Sequence, residues 1–377
     1  VGRIAWPQLD PPAGDSPSAD PHADYDELLV TVGDGDAARL FRVTLRDGAT
    51  AEIAKSEKDA TLAAYDAPHR ALLFARSGER GLAVWRAGTP APLFSANEFL
   101  REVQPGQFRR VDYTSEDGEA LWAWLLLPPG YKPGARLPML TWVYAGSVNK
   151  PVPPRYDSIG TYSSLNMQLA AAHGYAVLFP SMPLAPEGET DDPMLRLTNG
   201  VMPAVQAAID QGVADPDKLY LMGQSFGGFS TYGLVTQTHR FKAAVALAGL
   251  SDLISLYGQF DARLRYGRDP QDDIFMEWLF ESAQTRMGGP PWQDLGRYLR
   301  NSPLLTVDRV QTPLLIIQGD LDYVAMQQGE EFFRALYRQG KRARFVRYWG
   351  EDHVLTSPAN IRDMWTQIFD WLDSGGA

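Results

Sequence analysis

The residues with the most chemical content lie in Gly223-Gln224-Ser225-Phe226-Gly227, which follows an apolar run and opens a stretch of helical character. A serine with glycines two before and two after it fits a sharp strand-to-helix turn, where bulkier neighbours would collide. A hydroxyl on such a turn can attack an acyl carbon if a histidine takes its proton and a carboxylate orients that histidine. The helix N-terminus behind the serine favours the negative charge that develops on the attacked oxygen. The bland alternative is a strand–turn–helix in which Ser225 only caps the helix.

The base follows by elimination. The chain has 5 histidines: His22, His69, His173, His239 and His353. With a serine on this kind of turn, the chain order is serine, acid, histidine, which removes His22, His69 and His173. His239 falls at the end of the helix that follows Ser225, ahead of any acid-bearing strand, and reads as a surface residue. His353, in Gly350-Glu351-Asp352-His353, follows the apolar run 344–348 and precedes a long C-terminal helix. It is the candidate base. The acid is expected where strand 313–317 ends, in Gln318-Gly319-Asp320-Leu321-Asp322-Tyr323-Val324. Asp322, beyond the glycine that ends the strand, is the assignment; Asp320 is the alternative and otherwise caps the turn.

These residues need a scaffold that brings three strand ends together. Apolar runs at 121–127, 139–144, 176–179, 219–222, 243–246, 314–317 and 344–348 alternate with helical stretches at 200–211, 226–236, 328–338 and 361–372. That alternation marks a mostly parallel sheet with helices on both faces. Residues 108–377 are therefore expected to form one α/β domain. Ahead of it, short alternating runs at 27–32, 40–45, 62–65, 71–75 and 82–85 are separated by turn residues, the pattern of antiparallel β structure. Stretches 26–54 and 61–94 each have the size of one β-propeller blade, so 26–107 is expected to hold about two blades. Residues 10–24 are mostly Pro, Ala, Asp and Ser, and 1–25 is set apart as an extended lead-in.

Composition narrows the function classes. With 45% hydrophobic and 21% charged residues, the 377-residue chain can bury a sizeable core. A net charge of −11 argues against nucleic acid or an anionic membrane as partner. The apolar runs fall short of the roughly 20 residues that span a bilayer. A cysteine count of 0 excludes disulfides, a thiolate nucleophile and cysteine-based metal sites, and neither metal nor cofactor is expected. Asp34-Gly35-Asp36 lacks the remaining ligands of a calcium loop and reads as a hairpin turn. The cluster Glu187, Glu189, Asp191 and Asp192 reads as a solvated loop. Val1-Gly2-Arg3 carries no initiator methionine and reads as a trimmed end.

Taken in order, several motifs give residues 108–371 a resemblance to the catalytic domain of the prolyl oligopeptidase family of serine peptidases. They are Tyr144-Ala145-Gly146, Gly223-Gln224-Ser225-Phe226-Gly227-Gly228, Asn301-Ser302-Pro303-Leu304, Gly319-Asp320-Leu321-Asp322 and Glu351-Asp352-His353. The resemblance implies an α/β-hydrolase fold, mostly parallel and doubly wound, preceded by the blades of an incomplete β-propeller. It implies a serine hydrolase that cleaves short peptides through an acyl-enzyme, with the propeller filtering substrates by size. It also implies an oxyanion hole built from a tyrosine hydroxyl, here Tyr144, and the N–H of the residue after the nucleophile, here Phe226. The chain departs from prolyl-specific members where they carry a pocket tryptophan; the aligned residue is Leu253, so strict proline specificity is not expected. Phe226, Leu250, Leu253, Leu256, Tyr257 and Val324 are expected to form an apolar pocket instead. An esterase on the same fold, or an isopeptidase acting on a modified peptide, is the alternative. Closed propellers take 4–8 blades, so residues upstream of Val1, or a separate polypeptide, are expected to complete the ring.

Overall fold

The computed structural model describes residues 3–5, 27–32, 39–55, 61–66, 71–78, 81–154, 163–259 and 275–377. The hairpin turn expected at 34–36 and the lead-in expected at 10–24 lie outside the described residues. Two compact units are present, Val1–Gln104 with Asp157–Gly160, and Pro105–Tyr156 with Thr161–Ala377.

The first unit holds two four-stranded antiparallel sheets. One contains β1 (Arg3–Ala5), β2 (Glu27–Val32), β3 (Arg39–Thr44) and β4 (Thr50–Lys55), in that order. The other contains β5 (Thr61–Asp66), β6 (Ala71–Gly78), β7 (Gly81–Arg86) and β8 (Phe94–Ala96). Four antiparallel strands per sheet is the make-up of a propeller blade. Leu40, Leu72, Phe74 and Trp85, contributed by both sheets, share one buried cluster. The first sheet departs from the sequence expectation in one respect. Its outer strand comes from within 1–25, because β1 pairs with β2 through Arg3↔Thr31, Ile4↔Val30 and Ala5↔Leu29.

The second unit is built on an eight-stranded sheet. Along the chain run β9 (Gln107–Thr114), β10 (Ala120–Leu127), β11 (Leu137–Trp142), α1 (Gln168–Ala172), β12 (Ala176–Phe179), α2 (Pro193–Asp210), β13 (Ala214–Gln224) and α3 (Phe226–Gln237). Then follow β14 (Ala243–Leu247), α4 (Leu253–Tyr257), α5 (Phe275–Glu281), α6 (Leu295–Arg300), β15 (Leu314–Gly319), α7 (Gln327–Arg338), β16 (Ala343–Tyr348) and α8 (Pro358–Asp373). The strand order is β16-β15-β14-β13-β11-β12-β10-β9, antiparallel only at β9–β10 and β10–β12.

The central strands are apolar on both faces, and the two-residue period of a strand divides their side chains between two cores. Leu219 and Leu221 of β13 and Leu314 and Ile316 of β15 pack with Val201 and Val205 of α2, Phe229 of α3 and Phe332 of α7. Tyr220 and Met222 of β13 and Leu315 and Ile317 of β15 pack on the other side with Trp365, Ile368 and Trp371 of α8. Burying one such Leu or Ile contributes roughly 1.5–3 kcal/mol. Covered on both faces, β13 and β15 hold their C-terminal ends in register across β14, and those ends carry the candidate residues.

Candidate active site

Ser225 sits between β13 and α3 with φ 63° and ψ −123°. A non-glycine residue at positive φ costs about 1–3 kcal/mol and persists only where its surroundings over-determine it. Here the Ser225 N–H donates to the Leu247 carbonyl at the end of β14 over 2.8 Å. On either side the chain passes too close to Val143 to admit a side chain: a Cβ on Gly223 or Gly227 would meet the Val143 carbonyl oxygen. Ser225 stands at the N-terminus of α3, whose first-turn N–H groups, beginning with that of Phe226, have no acceptor within the helix.

Asp322 follows β15 and is 1% exposed. Its Oδ1 accepts from the Val324 amide at 2.8 Å and faces His353 Nδ1 at 2.7 Å, while Oδ2 lies 3.3 Å from Gln318 Nε2. Burial pushes this carboxyl above its ordinary range, and His353 together with the Val324 amide opposes the shift. Asp320 instead accepts from the Gly350 N–H, in the loop after β16, at 2.6 Å. The structure thus brings Asp322, and not Asp320, against the histidine.

His353 lies in the loop between β16 and α8. That loop is held by a buried carboxylate. Glu351, 2% exposed, accepts from the Thr356 N–H at 2.7 Å, the Ser357 N–H at 3.1 Å and Asn360 Nδ2 at 2.7 Å. An anion at the first turn of α8 is favoured by the unpaired N–H groups there. The His353 carbonyl accepts from Gln224 Nε2 at 3.1 Å, and its ring lies 4.3 Å from that of Tyr323. A Cβ on Gly319 would strike the Glu351 and Asp352 carbonyls, so the exit of β15 and the histidine loop approach as closely as glycine permits.

Ser225 and His353 line one cleft of about 320 Å³ together with Trp142, Tyr144, Ser147, Leu165, Gln224, Gln284 and Tyr323. Tyr144, just past β11, packs edge-on against Phe226 with ring centres 6.3 Å apart, and its hydroxyl accepts from Gln284 Nε2 at 2.6 Å. The expected apolar pocket needs correction. Phe226, Leu253, Leu256 and Val324 are 0% exposed and Leu250 is 1% exposed, all within the core, and none lines the described cleft. The reason is local. Asp252 caps α4 by accepting from the Ile254 N–H at 3.0 Å, which turns Leu253 and Leu256 together into the interior. Tyr257 is half-buried, and its hydroxyl donates to Glu281 at 2.6 Å. The cleft wall is instead Trp142, Leu165 and Tyr323, residues to which the sequence attached no role.

Two other motifs prove to be structural. Asn301 accepts from the Met194 N–H at 3.0 Å and donates to Asp192 at 2.7 Å, tying down the start of α2. Of the acidic cluster, Asp191 accepts from the Ala185 N–H at 2.7 Å and from Arg196 Nε at 2.8 Å, and Asp192 accepts from Arg300 Nε at 2.9 Å. Glu187 and Glu189 are exposed. Among the described residues no group of three or more His, Asp and Glu side chains could hold a metal ion, and no helix is long and apolar enough to cross a membrane.

A serine on a strained strand-to-helix turn, an acid after one strand and a histidine after the next, on this sheet order, define the α/β-hydrolase fold. Residues 198–375 match the model of the prolyl oligopeptidase family. The uncharacterized peptidase YuxL of Bacillus subtilis is 30% identical over 296 residues, 74% of this chain and 41% of the relative. A probable chloroplastic glutamyl endopeptidase of Oryza sativa subsp. japonica is 27% identical over 280 residues, 70% of this chain and 27% of the relative. Among solved structures, the Pyrococcus horikoshii acylaminoacyl peptidase superposes with a TM-score of 0.61 at 20% identity, covering 91% of this chain and 54% of that one. Residues 198–375 thus belong to the prolyl oligopeptidase family, and the chain spans less than half the length of the two curated relatives just named.

Proposed function

We propose that the protein is a serine peptidase in which Ser225 is the nucleophile, His353 the general base and Asp322 the residue that orients the histidine. The observation that carries this reading is the 2.7 Å contact between His353 Nδ1 and Asp322 Oδ1, beside a cleft shared by His353 and a strained Ser225. With Nδ1–H donated to the carboxylate, Nε2 is left to take the Ser225 proton as Oγ attacks the acyl carbon. The tetrahedral oxyanion is held by the Phe226 N–H and the Tyr144 hydroxyl. His353 then protonates the leaving amine, and water repeats the sequence in reverse to release the acid and restore Ser225. Asp322 does not take the proton; it fixes the tautomer and stabilises the imidazolium.

The substrate is a peptide with an uncharged, apolar side chain before the scissile bond. The described cleft wall offers Trp142, Leu165 and Tyr323, and His353 is its one titratable side chain of basic type. The glutamyl preference in the rice relative's name finds no arginine or lysine among the described lining residues. Arg263 and Arg265 lie outside the described residues. The two blade-like sheets favour a peptidase over a small-ester hydrolase, which has no need of a size filter. They are fewer than the 4–8 blades of a closed ring, and further chain or a separate polypeptide completes it. Cleavage of a chromogenic peptide panel, varying the residue before the scissile bond with free and blocked amino termini, tests the assignment. Fastest turnover with Leu, Phe or Met at that position supports it; strongest turnover with Glu or Lys overturns it.

A further inference from the structure

We propose that Ser230 is a positioning residue that ties together the two halves of the oxyanion site, the loop carrying Tyr144 and the first turn of α3 carrying the Phe226 N–H. This rests on the reading of Ser225 as nucleophile and of Tyr144 and Phe226 as the oxyanion donors. The motivating observation is a chain of two hydrogen bonds. The Ala145 N–H donates to Ser230 Oγ at 3.1 Å, and the Ser230 hydroxyl donates to the Phe226 carbonyl at 2.7 Å.

By local rules a serine is out of place here. α3 is buried from Phe226 to Thr236, and Ser230 is 0% exposed. A hydroxyl inside a buried helix is costly unless it is paired, and serine is a poorer helix former than alanine. Bonding back to the carbonyl four residues earlier satisfies its proton. Thr231 does the same, donating to the Gly227 carbonyl at 2.9 Å. Ser230 differs because its oxygen also receives an N–H from another element.

That N–H belongs to a loop fixed on its other side. Tyr144 opens a turn closed by the Ser147 N–H on the Tyr144 carbonyl at 3.0 Å, with Gly146 at φ 83° in the third position. The Gly146 N–H donates to the Met182 carbonyl, and the Met182 N–H to the Ser147 carbonyl, each at 2.7 Å. Ala145, just past β11 and 4% exposed, needs an acceptor that the sheet no longer supplies, and Ser230 provides it. The two elements come close: a Cβ on Gly227 would stand 3.3 Å from a Tyr144 ring carbon. Oxyanion donors work when held to within about 0.5 Å of their productive places before charge develops. Tyr144 and Phe226 come from different elements, and the Ser230 hydroxyl spans the two. It touches no reacting atom; it acts through the backbone of Ala145 and Phe226.

The test compares Ser230→Ala, Ser230→Cys, Thr231→Val, Tyr144→Phe and the Ser230→Ala/Tyr144→Phe double variant. Hydrolysis of p-nitrophenyl butyrate is measured, with active enzyme counted by stoichiometric fluorophosphonate titration so that misfolded protein does not enter kcat. Ser230→Ala is expected to lower kcat about 3- to 10-fold, the fold-change of one net hydrogen bond, with KM within about twofold. The inhibition constant of octyl trifluoromethyl ketone, which adds to Ser225 Oγ and leaves an oxyanion, should rise by the same factor. Ser230→Cys keeps a weaker donor and acceptor and should fall between Ser230→Ala and wild type. Thr231→Val removes a hydroxyl that serves its own helix and should leave both readouts unchanged. In the Tyr144→Phe background Ser230→Ala should cost less than it does alone, because one of the donors it places is gone. A wild-type kcat in Ser230→Ala, an inhibition constant that does not follow kcat, an equal loss in Thr231→Val, or full multiplicative losses in the double variant would overturn the proposal. If Ser225→Ala retains turnover, or Tyr144→Phe behaves as wild type, the underlying active-site reading fails; if both lose activity and Ser230→Ala does not, only the role of Ser230 fails.

Discussion

Asp322→Asn separates what the buried carboxylate does for chemistry from what it does for folding. Oδ1 serves both the Val324 amide at 2.8 Å and His353 Nδ1 at 2.7 Å, with Gln318 Nε2 3.3 Å from Oδ2. Asparagine offers one acceptor oxygen and one NH₂ in the same space. With the oxygen kept at the Val324 amide, the NH₂ meets the Gln318 NH₂, donor against donor. With the amide turned, its NH₂ faces His353 Nδ1, the ring proton moves to Nε2, and the base can no longer accept from Ser225. Either way the imidazolium of the transition state faces a neutral group. Turnover should therefore fall about 10³–10⁴-fold, equivalent to about 4–5.4 kcal/mol at 1.36 kcal/mol per tenfold. Folding should hardly suffer. Burial has raised the carboxyl pKa, so the folded state loses stability as the pH rises through that value, and removing the charge removes the loss. That gain opposes the roughly 1–3 kcal/mol cost of one unsatisfied buried group, so Tm should fall by less than about 10 °C. Steady-state kinetics and a thermal melt decide together. A loss of activity under about tenfold, or a drop in Tm beyond about 10 °C, would refute this division of roles.

Three further outcomes are expected. Glu351→Gln replaces a buried carboxylate that accepts from Thr356, Ser357 and Asn360; urea unfolding should show a loss of about 1–3 kcal/mol together with a lower kcat, and wild-type values for both would mean the carboxylate does not hold the His353 loop. Tyr232→Phe removes a buried hydroxyl that has no hydrogen-bond partner among the described residues, on a ring stacked 4.2 Å from Phe332; the variant should be neutral or more stable, and a loss above about 1 kcal/mol would contradict that. Asp373 accepts from Tyr175 at 2.6 Å and contacts His173 Nε2 at 2.9 Å; burial pushes its carboxyl up, but these two partners outweigh it and hold it below the ordinary range. Its stabilising contribution is present above the unfolded carboxyl pKa and is lost as the pH falls through the lowered one, so Asp373→Asn should differ from wild type by under about 1 kcal/mol at neutral pH and converge with it in strong acid.

The parallel sheet was legible because strands covered on both faces read as unbroken apolar runs, as in Ala243–Leu247. Ser225 and His353 were legible because an elbow needs glycines at fixed offsets and because histidines are few. Elements whose support is tertiary were not legible. β1 has three residues and is a strand only by pairing with β2. β9, with Arg109, Arg110 and Asp112 in its sequence, lies at the sheet edge and lacks a continuous apolar run. α4, α5 and α6 are too short for a helical period to show, and α2 begins at Pro193, earlier than its periodic stretch suggests. The pocket leucines illustrate a different limit: apolar type alone does not distinguish a core residue from a cleft wall. Ser230 carried no sequence signal, since a serine inside an apolar helix acquires meaning only from the loop that the fold brings to it.

The role of Ser225 is tested most directly by labelling the intact protein with a fluorophosphonate and locating the adduct by peptide mass spectrometry, with peptide hydrolysis followed in parallel. One equivalent should attach at Ser225 as hydrolysis stops, and Ser225→Ala should neither label nor turn over while melting like wild type. An adduct on another residue, or peptide hydrolysis retained by Ser225→Ala, would contradict it.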